Sequence, residues 1–477
     1  MSLVNLLEEH ATQHANNILT DGHITCTYAD LPPLLAQMDA VFAQHGIEAG
    51  VDVVFECSNT VRAAITLIYL ISRGISFMLL PPTGDDEKAL TLKPLPRFCT
   101  HRVRIHALDK SDTNLSPASF LWIEPNPQFE KASDLAVGNL YLRTSGSMGE
   151  SKIVVHRLDK LLGNALNVAR KYDFLPSDRV IIPVPIFHMY GFGAEFLPSV
   201  LVGANMDLLE NTNVLNYLSH EKAFKPTILY VTPTLAEILM QGFRSPRHYK
   251  AVVTSGQRIG EELFVRFNEK VGNTLVNQYG SSEGGGIAAC APTDSVALRT
   301  STIGTPMTGV RLELINETPE GIGELQVYHP YKYVGYLNER GEWLHQEPHE
   351  TPFTTGDLAK RLPNGSIQVV GRAKNSINRN GYLILFSDIE KMMETIEGVV
   401  QVVIVQTPGE TVRGETIAAC CIVKPTSNWN ATTLREKAFD VLPRYAVPDH
   451  VQILERFPLL PSGKIDQQTL KKMIQVE

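Results

Sequence analysis

The sequence lacks the features that mark membrane-spanning and disulfide-stapled proteins. Its most hydrophobic early stretch, 63–80, is interrupted by Arg73 and Gly74, short of the roughly 18 uninterrupted apolar residues that a spanning helix needs. The 6 cysteines form no CxxC pair, and we expect reduced thiols. No basic region precedes an apolar stretch at the N-terminus, so we expect no secretory signal and a cytoplasmic protein without a membrane partner.

An excess of basic side chains is also absent. The chain has 43 Lys and Arg against 51 Asp and Glu, a net charge of −8. This balance argues against a protein that coats nucleic acid, although a local basic pocket for a phosphate ligand remains compatible with it. Hydrophobic residues make up 43% of the 477 residues, which is ordinary for a globular protein with one large and one small domain, or about three average ones.

The distribution of apolar runs indicates an α/β fold. Continuous β-branched runs at 180–186, 227–233 and 251–256 alternate with helix-like stretches, a pattern typical of buried, largely parallel sheets flanked by helices. From about residue 296 short strands and turns dominate, and the Pro-Asn-Gly turn at 363–365 predicts a hairpin.

The C-terminal part has a different pattern. After a polar stretch that begins at Ala373, the sequence predicts helix, strand, strand, helix, as in a small α+β domain. We place the boundary near Lys374. The expected division is a large N-terminal domain of layered sheets and helices, 1–373, and a small mobile C-terminal domain, 374–477.

The strongest local signal is the loop from Thr144 to Lys152, TSGSMGESK, which follows a strand-like segment. Its glycines and hydroxyl side chains would offer backbone and side-chain donors to a polyphosphate, and Lys152 would add a positive charge. A Walker A loop shares the spacing from Gly146 to Lys152. It requires, however, a glycine where Ser151 stands and a hydroxyl where Ile153 stands. The loop alone is also compatible with a surface hairpin.

A second motif, QYGSSE, runs from Gln278 to Glu283. A carboxylate that follows a Gly/Ser turn at a strand end could hold Mg²⁺ bridging phosphates, and Tyr279 could stack on a base. The same residues could equally form an ordinary turn with an exposed glutamate.

Two further motifs are weak when taken singly. Asp357 ends a Thr-Gly-Asp turn and is followed at some distance by Arg372; such a carboxylate can accept ribose hydroxyls. Lys464 ends a Pro-Ser-Gly-Lys segment and could move into a site as a mobile charge. A common turn and a solvated tail are the plain alternatives.

Together these motifs resemble those of the AMP-forming adenylate-forming superfamily, which includes acyl- and aryl-CoA ligases, luciferases and stand-alone adenylation domains. TSGSMGESK, QYGSSE, TTGDL, GRAKNSINRNGY and PSGKI occur in the family's order and approximate spacing, over essentially the whole chain. The sequence departs from the usual family residues at Met148 (Thr), Ser151 (Pro), Ile153 (Gly), Ser282 (Thr) and Asn378 (Lys).

The resemblance implies two half-reactions. A carboxylate attacks the α-phosphate of ATP to give an acyl-adenylate and pyrophosphate, and a thiol then attacks the acyl carbon and releases AMP. By resemblance, Glu283 holds Mg²⁺, Lys464 bridges the α-phosphate and the attacking carboxylate, and Lys374 is the hinge about which the small domain rotates. The catalytic residues implied are Lys464, Glu283, His188 and Lys374. The nucleotide-binding residues implied are Thr144, Ser145, Gly146, Ser147, Gly149, Lys152, Ser255, Gly256, Gln257, Asn277, Gln278, Tyr279, Gly280, Ser282, Asp357 and Arg372.

The segment FHMYGF, 187–192, bears on the acid substrate. Amino-acid-activating relatives place an Asp where His188 stands, and an unpaired ammonium in a buried pocket would be costly. We therefore expect an aromatic or medium-chain acid rather than an ordinary α-amino acid. The aromatic side chains could form a flat slot or simply pack the core. The expected acid-binding residues are His188, Tyr190, Gly191, Phe192, Tyr230, Gly256, Tyr279 and Gly284.

The thiol acceptor is either coenzyme A, slightly favoured, or the phosphopantetheine of a separate acyl carrier protein. No carrier domain follows Lys464, so we expect a free-standing monomer or homodimer. The chain is short for a coenzyme A ligase and shows no clear basic cluster for the 3′-phosphate, which keeps the carrier protein close behind. A non-catalytic nucleotide-binding homologue and an unrelated kinase or nucleotidase are the remaining alternatives.

Overall fold

The computed structural model describes residues 2–82, 94–106, 112–131, 135–144, 152–210, 212–379, 382–411, 414–459 and 465–474. The chain divides into two compact units, Met1–Leu312 with Val327–Phe353, and Glu313–Gln326 with Thr354–Glu477. Lys374 thus lies inside the second unit, and the domain boundary and hinge expected there stay predictions.

Helices and strands alternate through much of the first unit, whereas the second contains longer runs of consecutive strands. The α-helices of the described residues are α1 Leu3–Gln13, α2 Leu31–Gln44, α3 Val61–Ser72, α4 Pro117–Phe120, α5 Leu158–Lys171, α6 Leu197–Val202, α7 Val214–Phe224, α8 Pro233–Gly242, α9 Glu261–Lys270, α10 Val296–Ser301, α11 Phe386–Glu394, α12 Ala431–Val441 and α13 Gln467–Met473. The strands are β1 Ile18–Thr20, β2 Thr25–Thr27, β3 Asp52–Glu56, β4 Ser76–Leu80, β5 His101–Ile105, β6 Leu121–Pro125, β7 Asn139–Thr144, β8 Lys152–Arg157, β9 Arg179–Ile182, β10 Asn205–Leu208, β11 Ile228–Val231, β12 Ala251–Thr254, β13 Leu275–Ser281, β14 Gly285–Ala289, β15 Thr305–Pro306, β16 Arg311–Ile315, β17 Ile322–Tyr328, β18 Gly335–Leu337, β19 Trp343–Gln346, β20 Phe353–Arg361, β21 Ile367–Arg372, β22 Ser376–Arg379, β23 Tyr382–Leu385, β24 Val399–Thr411, β25 Gly414–Val423 and β26 His450–Ile453.

One sheet of the first unit has the strand order β15-β14-β13-β12-β11-β9-β10-β1-β2 among the described residues. Its central strands are parallel, with Tyr230 on β11 opposite Val253 on β12. The chain passes from β9 to β10 on one side and then to β11 on the other. Ligand sites of open α/β sheets form at the carboxyl ends of strands where the order reverses in this way, so the segment after β9 is well placed for a site.

The second sheet of this unit has the described order β19-β18-β8-β7-β4-β3-β5-β6. Strands β7 and β8 form an antiparallel pair in which Thr144 lies opposite Lys152. Strand β18 pairs with β8 and places Tyr336 opposite Val154. The expected phosphate loop therefore joins the two strands of a hairpin, and its residues 145–151 lie outside the described part of the chain.

Helix α3 accounts for the hydrophobic stretch near residue 63. Every residue from Val61 to Ile71 is buried, as expected of a helix that is apolar on all sides and lies in a core. The helix ends at Ser72, Arg73 and Gly74 follow, the glycine with φ +64, and β4 then begins. Within the described residues, no helix combines the length and the apolar character needed to cross a bilayer. The 6 cysteines are all buried and free.

The second unit confirms the hairpin and the helix–strand–strand–helix order predicted from sequence. Strands β20 and β21 are antiparallel and flank the predicted turn, where Gly365 has φ +84. Helix α11, strands β24 and β25 and helix α12 follow in the expected order. Strand β25 is also paired in parallel with β26.

A buried ion pair lies within this C-terminal part. The Arg379 side chain is fully buried, and its guanidinium pairs with the carboxylate of Asp449. Arg379 also donates to the carbonyl of Val447 at 3.2 Å, and Asp449 accepts the backbone N–H of Ile417 at 2.9 Å. The charges thus satisfy each other and nearby backbone groups, as a buried pair must.

Candidate active site

Glu283 lies in a tight turn between β13 and β14. A Cβ at Gly280 would lie 2.4 Å from the carbonyl oxygen of Gly285, so only glycine permits this close approach. The Ser281 hydroxyl oxygen accepts the backbone N–H groups of Glu283 at 3.2 Å and Gly284 at 3.0 Å. The QYGSSE motif is therefore a braced turn that holds one carboxylate.

Tyr336, a residue that the motifs did not identify, connects this turn with the hairpin formed by β7 and β8. Its hydroxyl donates to Oε1 of Glu283 at 3.0 Å, and Nζ of Lys152 lies 5.4 Å from the centre of its ring. Burial, followed by the charge of Glu283, raises the pKa of Tyr336, so the hydroxyl keeps its proton. One ring thus lies next to both the candidate phosphate-binding lysine and the candidate metal-binding carboxylate.

His156, also absent from the sequence motifs, supports the same turn from β8. Its Nε2 lies 2.6 Å from the carbonyl oxygen of Ser282. Burial lowers the pKa of His156, which favours the neutral ring with a proton on Nε2. The other ring nitrogen has no hydrogen-bond partner among the described residues. The backbone on either side of Glu283 is therefore held by two different side chains.

Glu283 is suited to Mg²⁺ only in company with phosphate oxygens. Among the described residues there is no group of three or more His, Cys, Asp or Glu side chains able to hold a metal ion. Mg²⁺ characteristically takes one or two protein carboxylates and completes its shell with water and substrate phosphates. A single oriented carboxylate that shares a neighbour, Tyr336, with the candidate phosphate-binding Lys152 matches this mode of Mg²⁺ binding.

The segment after β9 carries several of the residues expected to bind the acid. A Cβ at Gly191 would lie 2.4 Å from the carbonyl oxygen of Pro185, so the backbone folds back closely on itself. A π-helix, Tyr190–Phe196, follows, and such helices are frequent at functional sites. The exposed His188 ring lies 4.4 Å from that of Phe187.

The expected aromatic residues divide into two sets. Phe192 is fully buried, with its ring 6.2 Å from that of Phe77, and belongs to the core. Tyr190 instead reaches the carboxyl ends of the sheet, within 3.1 Å of the Val231 carbonyl and 2.9 Å of that of Val253. Its ring is 5.9 Å from that of Tyr230, edge to face.

The amides of β13 are occupied by protein partners. Asn277 donates to the carbonyl of Arg299 at 2.5 Å, and Gln278 accepts from the hydroxyl of Tyr172 at 3.0 Å. After β12, Ser255 is buried whereas Gly256 and Gln257 are exposed, Gly256 with φ +85. The side chains of Asn277 and Gln278 thus brace the strand, and the exposed turn after β12 stays a predicted contact for the nucleotide.

In the second unit, Asp357 and Arg372 face each other across β20 and β21. Nε of Arg372 lies 2.6 Å from Oδ1 of Asp357, with 51% of the arginine side chain exposed against 8% of the aspartate. The backbone N–H of Asp357 donates to the Thr355 hydroxyl at 3.1 Å. Lys374 is exposed on the short 3₁₀ turn Ala373–Asn375. The two predicted ribose-binding residues are therefore neighbours.

Several expected residues lie outside the described part of the chain. They are Ser145, Gly146, Ser147, Gly149 and Lys464, and of Thr144 only the backbone is described. Their roles at the phosphates stay predictions.

Comparisons with known proteins agree with the fold class and with the family resemblance. The model of the family described as AMP-binding enzyme matches residues 81–337, and that of the AMP-binding enzyme C-terminal domain matches residues 388–464. The chain therefore belongs to the AMP-binding enzymes, the superfamily of adenylate-forming ligases.

Individual relatives are distant. The chain is 24% identical to tyrocidine synthase 3 of Brevibacillus parabrevis over 94% of its own length, but spans only 7% of that protein. Among solved structures, ATP-bound MatB from Rhodopseudomonas palustris matches with a TM-score of 0.77 and 19% identity over 99% of both chains. The o-succinylbenzoate CoA synthetase of Bacillus subtilis, in complex with its acyl-adenylate intermediate, matches with a TM-score of 0.77 and 20% identity over 99% of both chains.

Proposed function

We propose that this ligase uses ATP to activate a carboxylic acid as an acyl-adenylate and then transfers the acyl group to a thiol. The arrangement around Tyr336 carries the proposal. Lys152, at the start of the strand that leaves the phosphate loop, and Glu283 both lie against this one ring. Reactions at phosphorus depend on positioning and on neutralising charge more than on covalent help from the protein. A cation for phosphate oxygens and a carboxylate for their metal are the two groups required.

The proposed first step breaks one bond and forms one. The acid's carboxylate oxygen attacks the α-phosphorus, and the bond to the leaving pyrophosphate breaks, so that AMP remains attached to the acyl group. Mg²⁺, when bound, neutralises charge on the phosphates. Lys152 would contact the outer phosphates, Glu283 would hold the metal, and Lys464 would bridge the α-phosphate and the attacking carboxylate.

Within the second unit, Asp357 and Arg372 are the residues that we propose bind the ribose of ATP. A buried aspartate can accept hydrogen bonds from both ribose hydroxyls, as acidic residues do in other nucleotide sites. The guanidinium of Arg372, half exposed and 2.6 Å from the carboxylate, would orient that carboxylate and offer donors to ribose or phosphate. We assign this pair to the ribose.

For the thiol, we favour coenzyme A slightly over the phosphopantetheine of an acyl carrier protein. The structural likeness to a CoA synthetase of an aromatic acid, o-succinylbenzoate, supports both a coenzyme A acceptor and an aromatic substrate. The carrier protein remains the second candidate because the sequence shows no clear basic cluster for the 3′-phosphate of coenzyme A.

The test is ATP–pyrophosphate exchange with a panel of carboxylic acids, followed by acyl transfer to coenzyme A or to a phosphopantetheinylated carrier protein. We expect acid-dependent exchange, with AMP as the nucleotide product of the full reaction. Release of ADP, or no exchange with any acid, would contradict the proposal.

The role of Lys464 can be tested separately. Lys464→Ala should abolish exchange, because the bridging charge is lost, yet leave thiol transfer from a supplied acyl-adenylate intact. The matched control is Lys472→Ala, at an exposed position of α13, which should leave both steps unchanged. Equal loss of both steps in Lys464→Ala would refute the assigned role.

A further inference from the structure

Glu195 is a buried carboxyl group that the reaction outlined above does not use. It lies on the π-helix Tyr190–Phe196, which follows the His188 segment. Its side chain is 0% exposed, and neither carboxyl oxygen has a hydrogen-bond partner among the described residues. Buried polar atoms are almost always paired, so a carboxyl group with both oxygens unpaired calls for a missing partner.

A second unpaired polar atom belongs to β11, the strand that pairs with β9. The hydroxyl of Tyr230, at 0% exposure, has no partner among the described residues either. Burial raises the pKa of Tyr230 well above its ordinary value, so the hydroxyl keeps its proton. The Tyr230 ring lies 5.9 Å from that of Tyr190, which is on the same π-helix as Glu195. The hydroxyl of Tyr190, by contrast, is engaged with backbone carbonyls of β11 and β12.

The position of this pair matches the end of the sheet where a ligand is expected. Tyr230 belongs to β11, and the segment that leads to Glu195 leaves β9. These two strands flank the point where the strand order reverses. Glu195 and Tyr230 therefore lie on the segments proposed to bind the acid, and their unpaired atoms would meet the end of the acid remote from the reacting carboxylate.

Resting on the proposed function, we infer that Glu195 selects a carboxylic acid that carries a basic amine. The ammonium group of the acid would donate one N–H to the carboxylate of Glu195 and another to the hydroxyl oxygen of Tyr230, since an ammonium has three donors and no acceptor. His188 stands where an amino-acid-activating relative carries its anionic partner. Glu195, seven positions further along the same segment, supplies such an anion at a different place.

The energetics favour a cationic partner over a neutral one. Burial raises the pKa of Glu195 well above its ordinary value, so without a cationic partner the side chain is a neutral carboxyl group and a bare buried charge is avoided. When an ammonium binds, the proton of Glu195 would be released to solvent, and a compensated ion pair would remain. An acid of the same size without the amine would leave both protein groups unpaired, which is the situation that produces strong discrimination.

The experiment compares size-matched pairs of acids in which a methyl group replaces the ammonium, for example 4-(aminomethyl)benzoate with 4-ethylbenzoate and 6-aminohexanoate with heptanoate, in ATP–pyrophosphate exchange. The wild-type enzyme should favour the amine-bearing member in kcat/KM by about tenfold or more. Glu195→Gln should reduce this ratio by at least about tenfold, and Glu195→Leu should reverse it. Tyr230→Phe should reduce it less, because a hydrogen bond to a neutral acceptor is weaker. Glu261→Gln, at an exposed position of α9, is the control and should leave it unchanged.

The outcomes separate this inference from the proposed function. Silence of the wild-type enzyme with every acid would contradict the proposed function itself. Exchange that favours the acids without an amine would overturn the inference alone. The same holds for an unaltered preference in Glu195→Gln, since Glu195 would then be satisfied by a buried water and would not contact the acid.

Discussion

Removal of the Tyr336 hydroxyl is the sharpest test of how the site holds its carboxylate. Tyr336→Phe deletes the donor that lies 3.0 Å from Oε1 of Glu283 but keeps the ring 5.4 Å from Nζ of Lys152. A hydrogen bond to a charged acceptor contributes about 1.5–3 kcal/mol when it is fully buried. Both side chains are only partly buried here, so we expect about 1–2 kcal/mol, or about 5- to 30-fold.

The loss should appear in a specific parameter. Pyrophosphate exchange measured over a range of Mg²⁺ concentrations should show a higher Mg²⁺ requirement and a lower kcat, with little change in the KM for ATP. Tyr336→Leu should lose a further twofold or more, because it also removes the ring beside Lys152. Tyr328→Phe, whose ring lies 3.8 Å from the Arg311 guanidinium, is the control. A wild-type Mg²⁺ dependence in Tyr336→Phe would refute the positioning role.

Two further predictions concern stability. Burial raises the pKa of Glu195 from its ordinary 4.5, so the native state retains a proton that the unfolded chain releases. The contribution of Glu195 to the free energy of unfolding is therefore complete below pH 4.5. It is lost as the pH rises through the pKa of the folded state. The melting temperature of Glu195→Gln should therefore increase relative to that of the wild type as the pH rises above 4.5. A difference in melting temperature that does not change with pH would contradict this prediction. Asp449→Ala, which removes the carboxylate that neutralises the buried Arg379, should lower the free energy of unfolding in urea by about 3–5 kcal/mol. For Asp440→Ala, in an exposed pair, we expect less than about 1 kcal/mol. Similar decreases in the free energy of unfolding in the two variants would show that the buried pair contributes no more to stability than the exposed one.

Local features of the fold were predictable because their causes are local. The Pro-Asn-Gly turn before Ser366, the strand that leads into the phosphate loop and the turn that carries Glu283 are each encoded within a few residues. The alternation of apolar runs and helices indicated the parallel sheet, and the structure has it. Such signals suffice for elements and for the motifs at their ends.

The contacts that complete the site were not predictable in this way. Tyr336 and Glu283 are separated by 53 residues and meet only because β18 joins β8. His156 reads as an ordinary residue of an apolar strand. Glu195 follows glycine and alanine in a segment without charge alternation, and only the fold shows that it is buried without a partner. Pairings across sheets depend on topology, which a single sequence does not display.

The division of the chain has a consequence for its synthesis. Strands β18 and β19 complete a sheet whose earlier members begin with β3, and the chain enters the second unit between them, at Glu313–Gln326. The ribosome must therefore synthesise the chain as far as Gln346 before all described strands of that sheet can pair. The first unit therefore cannot complete its fold before synthesis of the second unit has begun, because Val327–Phe353 follows Glu313–Gln326 in the chain. The nascent protein must shelter the open edge of β8 until its partner emerges, a period in which it is exposed to misassembly.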